Sequence, residues 1–385
     1  MDTLFERLYG YEAAAAYFAP GRVNLIGEHT DYNGGFVFPC ALNFGTTLRI
    51  APNHDGCLRF RSVNMEQAVE CPIDREFAPL PDRNWINYPL GCIAQLAALA
   101  GGLSTGYDML FEGNVPLGAG LSSSASIEVV TAYAFNDLLG LGLNLTAIAK
   151  VAQQAEHTYA GVQCGIMDQF VASNGQKDHA LFLKCDTLEF VQVPLRLDGV
   201  AIVITNSHSP HRLDSGTYNE RVQACQKAVE CIRAEVQIAY LSELSPETFE
   251  RVQHTLTDPV LLRRARHVVS ETQRTKDAVQ ALQQGDLNRF GQLMNASHRS
   301  LRDDYEVTGT ELDTLAQAAW QVEGVLGSRM TGGGFGGCTV SLVRQEAIEA
   351  FKQQVSRVYT EKTGLTAEFY IARTGDGVHV VRNAN

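Results

Sequence analysis

The sequence predicts a protein of mixed helices and strands in two domains, on three observations. The chain has 385 residues, more than one hydrophobic core usually covers. Its first hundred residues are short β-rich runs separated by turn clusters, whereas the chain after residue 204 is dominated by amphipathic helical patterns. Three glycine-bearing motifs lie near the start, in the middle and near the end.

Taken in order, residues 35–37 and 46–50 are strand-like, and Asn53-His54-Asp55-Gly56 reads as a hairpin turn into a strand over 57–63. A further short strand is expected over 109–112. From Ser122 the period changes to that of a helix, with Ile127, Val130, Ala134 and Leu138 on one face and Gly140 as its stop. A second helix is expected over 146–159, ending at Gly161. A strand over 200–204 precedes helices over 218–236, 259–284 and 287–301. Thr310 followed by Asp313 predicts a capped helix through Trp320. The tail alternates again, with strands over 339–343 and 367–372 flanking a helix over 352–362. A boundary falls near 190–200, giving domains 1–195 and 196–385.

Hydrophobic residues make up 45% and charged residues 19% of the chain, as in an ordinary globular protein. The formal net charge of −12, with no dense Lys/Arg block, argues against a non-specific nucleic-acid surface. Nine scattered cysteines without a C-x-x-C pair read as reduced thiols in a cytoplasmic protein. Asp2 and Glu6 stand where a signal peptide would be basic, and the apolar stretches over 13–19 and 91–103 are too short to span a bilayer.

The middle motif is Pro116-Leu117-Gly118-Ala119-Gly120-Leu121-Ser122-Ser123-Ser124-Ala125-Ser126. Its glycines allow close backbone approach, and the helix behind them offers unpaired N–H groups to a polyphosphate. A plain turn with a serine N-cap is the other reading. It is not a Walker loop, since G-x-x-x-x-G-K-S/T is absent, nor a dinucleotide fingerprint, since Ser123 takes the third glycine's place. The last motif, Arg329-Met330-Thr331-Gly332-Gly333-Gly334-Phe335-Gly336-Gly337-Cys338, contains G-x-G-x-x-G over 332–337. A strand pattern follows it, whereas a dinucleotide loop opens a helix. The first motif is Pro20-Gly21-Arg22-Val23-Asn24-Leu25-Ile26-Gly27-Glu28-His29-Thr30-Asp31-Tyr32-Asn33-Gly34-Gly35. Glu28, His29 and Asp31 within it lack metal-site spacing; they suit either a hydrogen-bonded turn or recognition of vicinal hydroxyls. Phosphoryl transfer needs a metal, a cation near the γ-phosphate and a carboxylate near the acceptor. Arg22, Glu156 and Asp168 are candidates, although a surface arginine, a solvated helix face and a helix cap are the plainer readings of each.

Together the three motifs resemble the signatures of the GHMP small-molecule kinases, and Gly27-Glu28-His29-Thr30-Asp31-Tyr32-Asn33 resembles the galactokinases among them. Ala155-Glu156-His157 and Cys164-Gly165-Ile166-Met167-Asp168-Gln169 extend the likeness. The resemblance implies an α+β, two-domain GHMP kinase fold. The N-terminal domain would be like ribosomal protein S5 domain 2, the C-terminal one ferredoxin-like, and the active site would lie in the cleft between them. It implies phosphorylation of galactose at C1 by ATP with Mg2+, by a monomer needing neither membrane nor nucleic acid. Asp168 would be the catalytic base and Arg22 the transition-state stabiliser. With Arg22 alongside, Asp168 is expected to orient the acceptor hydroxyl and neutralise charge as much as to take its proton. Glu28, His29, Thr30, Asp31, Gly165 and Tyr218 would hold the sugar. Gly118, Ala119, Gly120, Leu121, Ser122, Ser123 and Ser124 would wrap the triphosphate, with Ser62 and Trp85 at the nucleotide and Ser124 and Glu156 on Mg2+. A kinase for N-acetylgalactosamine or arabinose is the neighbouring alternative. A non-catalytic galactose- and ATP-binding regulator is the other, and the intact run of serines over 122–124 argues against it.

Overall fold

A computed structural model describes residues 2–81, 84–115, 120–209 and 215–381. The first part runs through helix α1 (Asp2–Tyr9), strands β1 (Ala15–Asn24), β2 (Phe36–Val37), β3 (Pro39–Asn53), β4 (Cys57–Ser62) and β5 (Val69–Pro72), α2 (Asn87–Ala100), and β6 (Gly106–Gly113). It continues with α3 (Ser123–Leu138), α4 (Leu145–Ala155), α5 (Met167–Asn174), β7 (His179–Lys184) and β8 (Phe190–Pro194). The second part holds β9 (Val200–Asn206), α6 (Ser215–Ile232), α7 (Pro246–Val252), α8 (Pro259–Gln283), α9 (Leu287–Ser300) and α10 (Gly309–Trp320). It ends with β10 (Val325–Thr331), β11 (Cys338–Arg344), α11 (Ile348–Thr363), β12 (Glu368–Ala372) and β13 (His379–Val380).

The first part is built on a sheet of order β13-β1-β3-β6-β4-β5. One face buries Tyr17, Leu48, Ile50, Leu58, Phe60 and Met109 against α2, α3 and α4, through Leu90, Ile93, Val130, Phe135 and Ile148. On the other face Phe5 of α1 packs on Ala51 and Leu110. The apolar run over 91–103 is explained by this layer: α2 is wedged against both α3 and α4, so a helix apolar on most sides is satisfied by protein neighbours. Residues 53–56 do turn the chain, but not into a hairpin. β6 lies between β3 and β4, antiparallel to the first and parallel to the second. The connection crosses over the start of β6, where a Cβ on Gly106 would sit 2.3 Å from Asn53 Oδ1 and 2.3 Å from the Cys57 carbonyl. Glycine there lets the 53–57 segment step across an intervening strand.

The second part has the strand order β10-β11-β9-β12, all antiparallel. Read in chain order these strands and their connecting helices form the β-α-β-β-α-β pattern of a ferredoxin-like sheet, with a helical insert over α6 to α10. Alternation places Ile202, Ile204, Val340 and Leu342 against α8 and α9, and Val203 and Val343 against α10 and α11. The first of these layers also takes in Val23, Leu25 and Phe38 from the first part, so the two parts share a core beneath the first motif. β13 returns to the first sheet, Tyr17 lying opposite Val380; the last strand therefore sits with residues 1–195 rather than with the rest of 196–385.

Several helix ends differ from expectation, α6 ending at Ile232 rather than 236 and α11 beginning at Ile348 rather than 352. α10 begins at Gly309 behind Thr308, without a side-chain cap, and Asp313 instead pairs with His298 Nε2 at 3.0 Å. The helix expected through Tyr159 is α-helical only to Ala155; a π-helical turn over Glu156–Ala160 follows, closed by Gly161 at φ 73°. Wide turns of this kind recur at functional sites, and this one carries Glu156. No described helix is long and apolar enough to cross a membrane.

Candidate active site

A cavity of about 350 Å3 opens where the parts meet. It is lined by Arg22, Glu28, His29, Asp31, Gly165, Asp168 and Tyr218, by residues 120–124 and Glu156, and by Gly332 and Gly333. Residues more than 300 positions apart, such as Arg22 and Gly333, thus face one space. Gly118 and Ala119 lie outside the described residues.

Asp168, in the first turn of α5, is the hub. Arg22 on β1 grips it with two hydrogen bonds, Nε to Oδ1 at 2.8 Å and Nη2 to Oδ2 at 2.7 Å, and donates from Nη1 to the Gly120 carbonyl at 2.8 Å. The Ser122 hydroxyl donates to the same Oδ2. Ser122 precedes α3 with φ 62°, a left-handed conformation rare for serine, and this aims its hydroxyl away from the helix and at Asp168. A fork of this kind fixes orientation as well as charge.

Asp31 begins a 3-10 turn, and burial together with the Asp168 charge pushes its carboxyl up to about 7. Gly165 makes room for it: a Cβ there would fall 2.0 Å from Asp31 Oδ2. His29 is buried, and burial and the nearby His267 hold its imidazole down at about 3, so it is neutral. The neutral ring needs one donor and one acceptor nitrogen. Nε2–H donates to the Gly333 carbonyl at 3.2 Å, and Nδ1 accepts from the Tyr32 hydroxyl at 2.8 Å. Tyr32 in turn accepts from Tyr305 at 2.7 Å. Tyr218, in the first turn of α6, packs its ring 5.4 Å from Tyr32 and 5.8 Å from His29. Glu28 is 2% exposed, and its Oε1 accepts from the Gly332 amide at 2.8 Å.

Glu156 also lines the cavity. Burial, and then the Asp168 charge, raises it to about 7, while the Cys164 thiol and the Ser124 hydroxyl hydrogen-bond to it. Gln169 Nε2 donates to Glu156 Oε2 at 2.6 Å and to Glu128 Oε2 at 3.1 Å. Ser124 and Glu128, four apart, share one face of α3. No group of three His, Cys, Asp or Glu able to hold a metal occurs among the described residues.

Three expected site residues do not line the cavity. Thr30 is buried and its hydroxyl donates to the Gly27 and Phe36 carbonyls, both at 2.8 Å, bracing the turn that carries His29 and Asp31. Trp85 packs edge-on to Phe111 at 5.6 Å, half-buried against the core of the first sheet. Ser62 closes β4, and its Oγ accepts from the Asn64 amide at 3.1 Å. Near Trp85 in sequence, Asn84, Asn87 and Tyr88 line the cavity, as do Ala160 and Val162. The tryptophan is the conspicuous residue of that stretch, but its ring rests half-buried against the core. Ala160 and Val162, flanking a helix stop, left no sequence signal.

Comparison with known proteins agrees with this geometry. Residues 3–52 match the galactokinase galactose-binding signature, 87–176 the GHMP kinase N-terminal domain and 278–361 the GHMP kinase C-terminal domain. The galactokinase of Fusobacterium nucleatum is 48% identical over 382 residues, 98% of each chain. That of Streptococcus mutans is 45% identical over 99% of this chain and 98% of its own. The crystal structure of Lactococcus lactis galactokinase complexed with galactose superposes with a TM-score of 0.94 at 40% identity, covering 98% of both chains. Mevalonate kinase of Methanococcus jannaschii shares the fold, with a TM-score of 0.66 at 17% identity over 94% of this chain and 98% of its own. The chain belongs to the galactokinase family of the GHMP kinases.

Proposed function

We propose that this enzyme transfers the γ-phosphoryl group of ATP to the C1 hydroxyl of α-D-galactose, giving galactose 1-phosphate and ADP. The observation that carries the reading is the placement of Asp168, bonded on one side to Arg22 and Ser122 of the nucleotide end and facing Asp31 of the sugar motif. A carboxylate offers about four acceptor positions. Arg22 and Ser122 occupy three, leaving one on Oδ1 for the acceptor hydroxyl.

In this reading Glu28, His29, Asp31, Gly165 and Tyr218 surround the sugar. Asp31, poised at about 7, is able both to donate to and to accept from a sugar hydroxyl. Asp168 orients the attacking oxygen and takes its proton as the O–P bond forms and ADP leaves. Arg22 offsets charge on the transferring oxygens, an electrostatic role that dominates phosphoryl transfer. Residues 120–124 at the start of α3 cradle the phosphates, and Asn84, Tyr88 and Val162 wall the base. Ser124 and Glu156 suit Mg2+: both offer hard oxygen donors, and Glu156 is a buried carboxylate without a basic partner among its hydrogen bonds. Bound Mg2+ would neutralise charge on the phosphate oxygens. Nine unpaired cysteines suit a reducing cytoplasm.

The test is ADP release from Mg-ATP across galactose, N-acetylgalactosamine, arabinose, glucose, mevalonate and homoserine. Fastest turnover is expected with galactose, and turnover with only another acceptor would overturn the sugar assignment. Galactose-dependent ATP binding without turnover would make the chain a regulator. Asp168→Asn is expected to lower kcat by about 10²–10⁴-fold with the fold intact.

A further inference from the structure

Arg329, in β10, is fully buried, a costly place for a guanidinium. Nη1 donates to the Asn24 carbonyl at 2.9 Å, and Nη2 lies 3.3 Å from Glu28 Oε1. Nε and Nη2 have no hydrogen-bond acceptor, so its charge is met by the Glu28 carboxylate rather than by a full set of hydrogen bonds. The same Oε1 accepts from the Thr331 hydroxyl at 3.2 Å and the Gly332 amide at 2.8 Å. All three groups come from the third glycine motif and its strand, and all three converge on one oxygen. The motif offers no acid or base to the reaction, yet it governs how a carboxylate of the first motif stands in the cavity.

We infer that Arg329, with Thr331, is a positioning residue for sugar recognition, holding Glu28 from behind so that its carboxylate is presented to a galactose hydroxyl in one orientation. This rests on the reading of Glu28 as a sugar-binding residue. Removing the partner of a buried carboxylate leaves it free to turn toward water or to lose its charge. The loss should therefore fall on galactose and not on ATP, although Arg329 itself is absent from the cavity lining.

Galactose and ATP affinities, measured separately by calorimetry, together with kcat and Tm, test this in Arg329→Lys, Thr331→Val, Glu28→Gln and the Glu28→Gln/Arg329→Lys pair. Arg329→Lys and Glu28→Gln are each expected to weaken galactose by about tenfold or more with ATP affinity within about threefold, and in Arg329→Lys, which lies outside the cavity lining, kcat is also expected within about threefold. Thr331→Val is expected to act in the same direction by a smaller factor. The double variant is expected to bind galactose no worse than Glu28→Gln alone, since one residue acts through the other. If Glu28→Gln weakens galactose while Arg329→Lys and Thr331→Val do not, the inference fails and the sugar reading stands. Unchanged galactose affinity in Glu28→Gln overturns the sugar reading and the inference with it. Additive losses in the pair, or an equal loss of ATP, would make Arg329 a packing residue only. Should Arg329→Lys not fold, Thr331→Val paired with Glu28→Gln completes the same cycle.

Discussion

The carboxyl groups around the cavity are distinguished by their partners. Asp168 is held by Arg22 and Ser122, Glu28 by the third glycine motif, and Glu156 by the Gln169 amide. Asp31 is set apart by a close non-bonded neighbour, because Gly165 is the wall against which its carboxyl rests. Adding one methyl makes a sharp test. In Gly165→Ala the new Cβ would lie 2.0 Å from Asp31 Oδ2, so the carboxyl must swing into the cavity or the 164–166 segment must retreat. Overpacking of this kind costs about 1–3 kcal/mol. The expected outcome is a modest drop in Tm and a loss of galactose affinity much larger than any loss of ATP affinity, read by calorimetry and thermal unfolding. Unchanged galactose affinity would mean that Asp31 does not touch the sugar.

Secondary-structure elements show where sequence patterns suffice and where they mislead. The helical periodicity after Ser122 and the amphipathic helices α8 and α9 are legible from apolar residues recurring at helical spacing, and the strand after Gly199 from a continuous apolar run, since it is buried on both faces. The site motifs were legible too, since glycine, serine and charged residues stand out against apolar runs. The turn at 53–56 misleads because local turn chemistry says that the chain reverses, not which strand fills the space beside it. Glycine at 106 decides this, and its effect is visible only in three dimensions. Gly106→Ala would place a Cβ 2.3 Å from the Cys57 carbonyl, and a destabilisation of about 1–3 kcal/mol is expected. In urea unfolding the midpoint should fall with the slope unchanged, while kcat of the folded fraction holds, because β4 and its crossover are remote from Asp168. Trp85 stands outside the cavity lining for a related reason: its ring packs on Phe111, half-buried against the core of the first sheet. The π-helical turn at 156–160 gives no pattern at all, since it is a single turn closing the helix at Gly161 and no helical residues follow to show a change of phase.

At the scale of the whole molecule, buried titratable groups set against one another should fix the pH of greatest stability. His29 and His267 are held at about 3 and about 4 in the fold, and His298 is also lowered, chiefly through burial. Asp31 and Glu156 are raised to about 7 and Glu128 well above the usual carboxylate range, again chiefly through burial. Stability rises with pH where the unfolded chain binds more protons and falls where the folded chain does. The three histidines keep the unfolded chain richer in protons below its ordinary imidazole value of about 6.5. Their contribution is complete above that value and is lost as pH falls toward 4. The three carboxyl groups keep the folded chain richer above about 4. Their contribution is complete below that value and is lost as pH rises, until Asp31 and Glu156 ionise in the fold near 7. Between these limits the two sets oppose each other, and their slopes cancel between about pH 4 and about pH 6.5. Urea unfolding from pH 4 to 8, without Mg2+ or ATP, is expected to give a maximum there, with stability falling on both sides. Asp31→Asn should move that maximum upward by removing one of the groups that weaken the fold as pH rises. A maximum that stays in place in Asp31→Asn would mean that Asp31 is not held protonated in the folded enzyme.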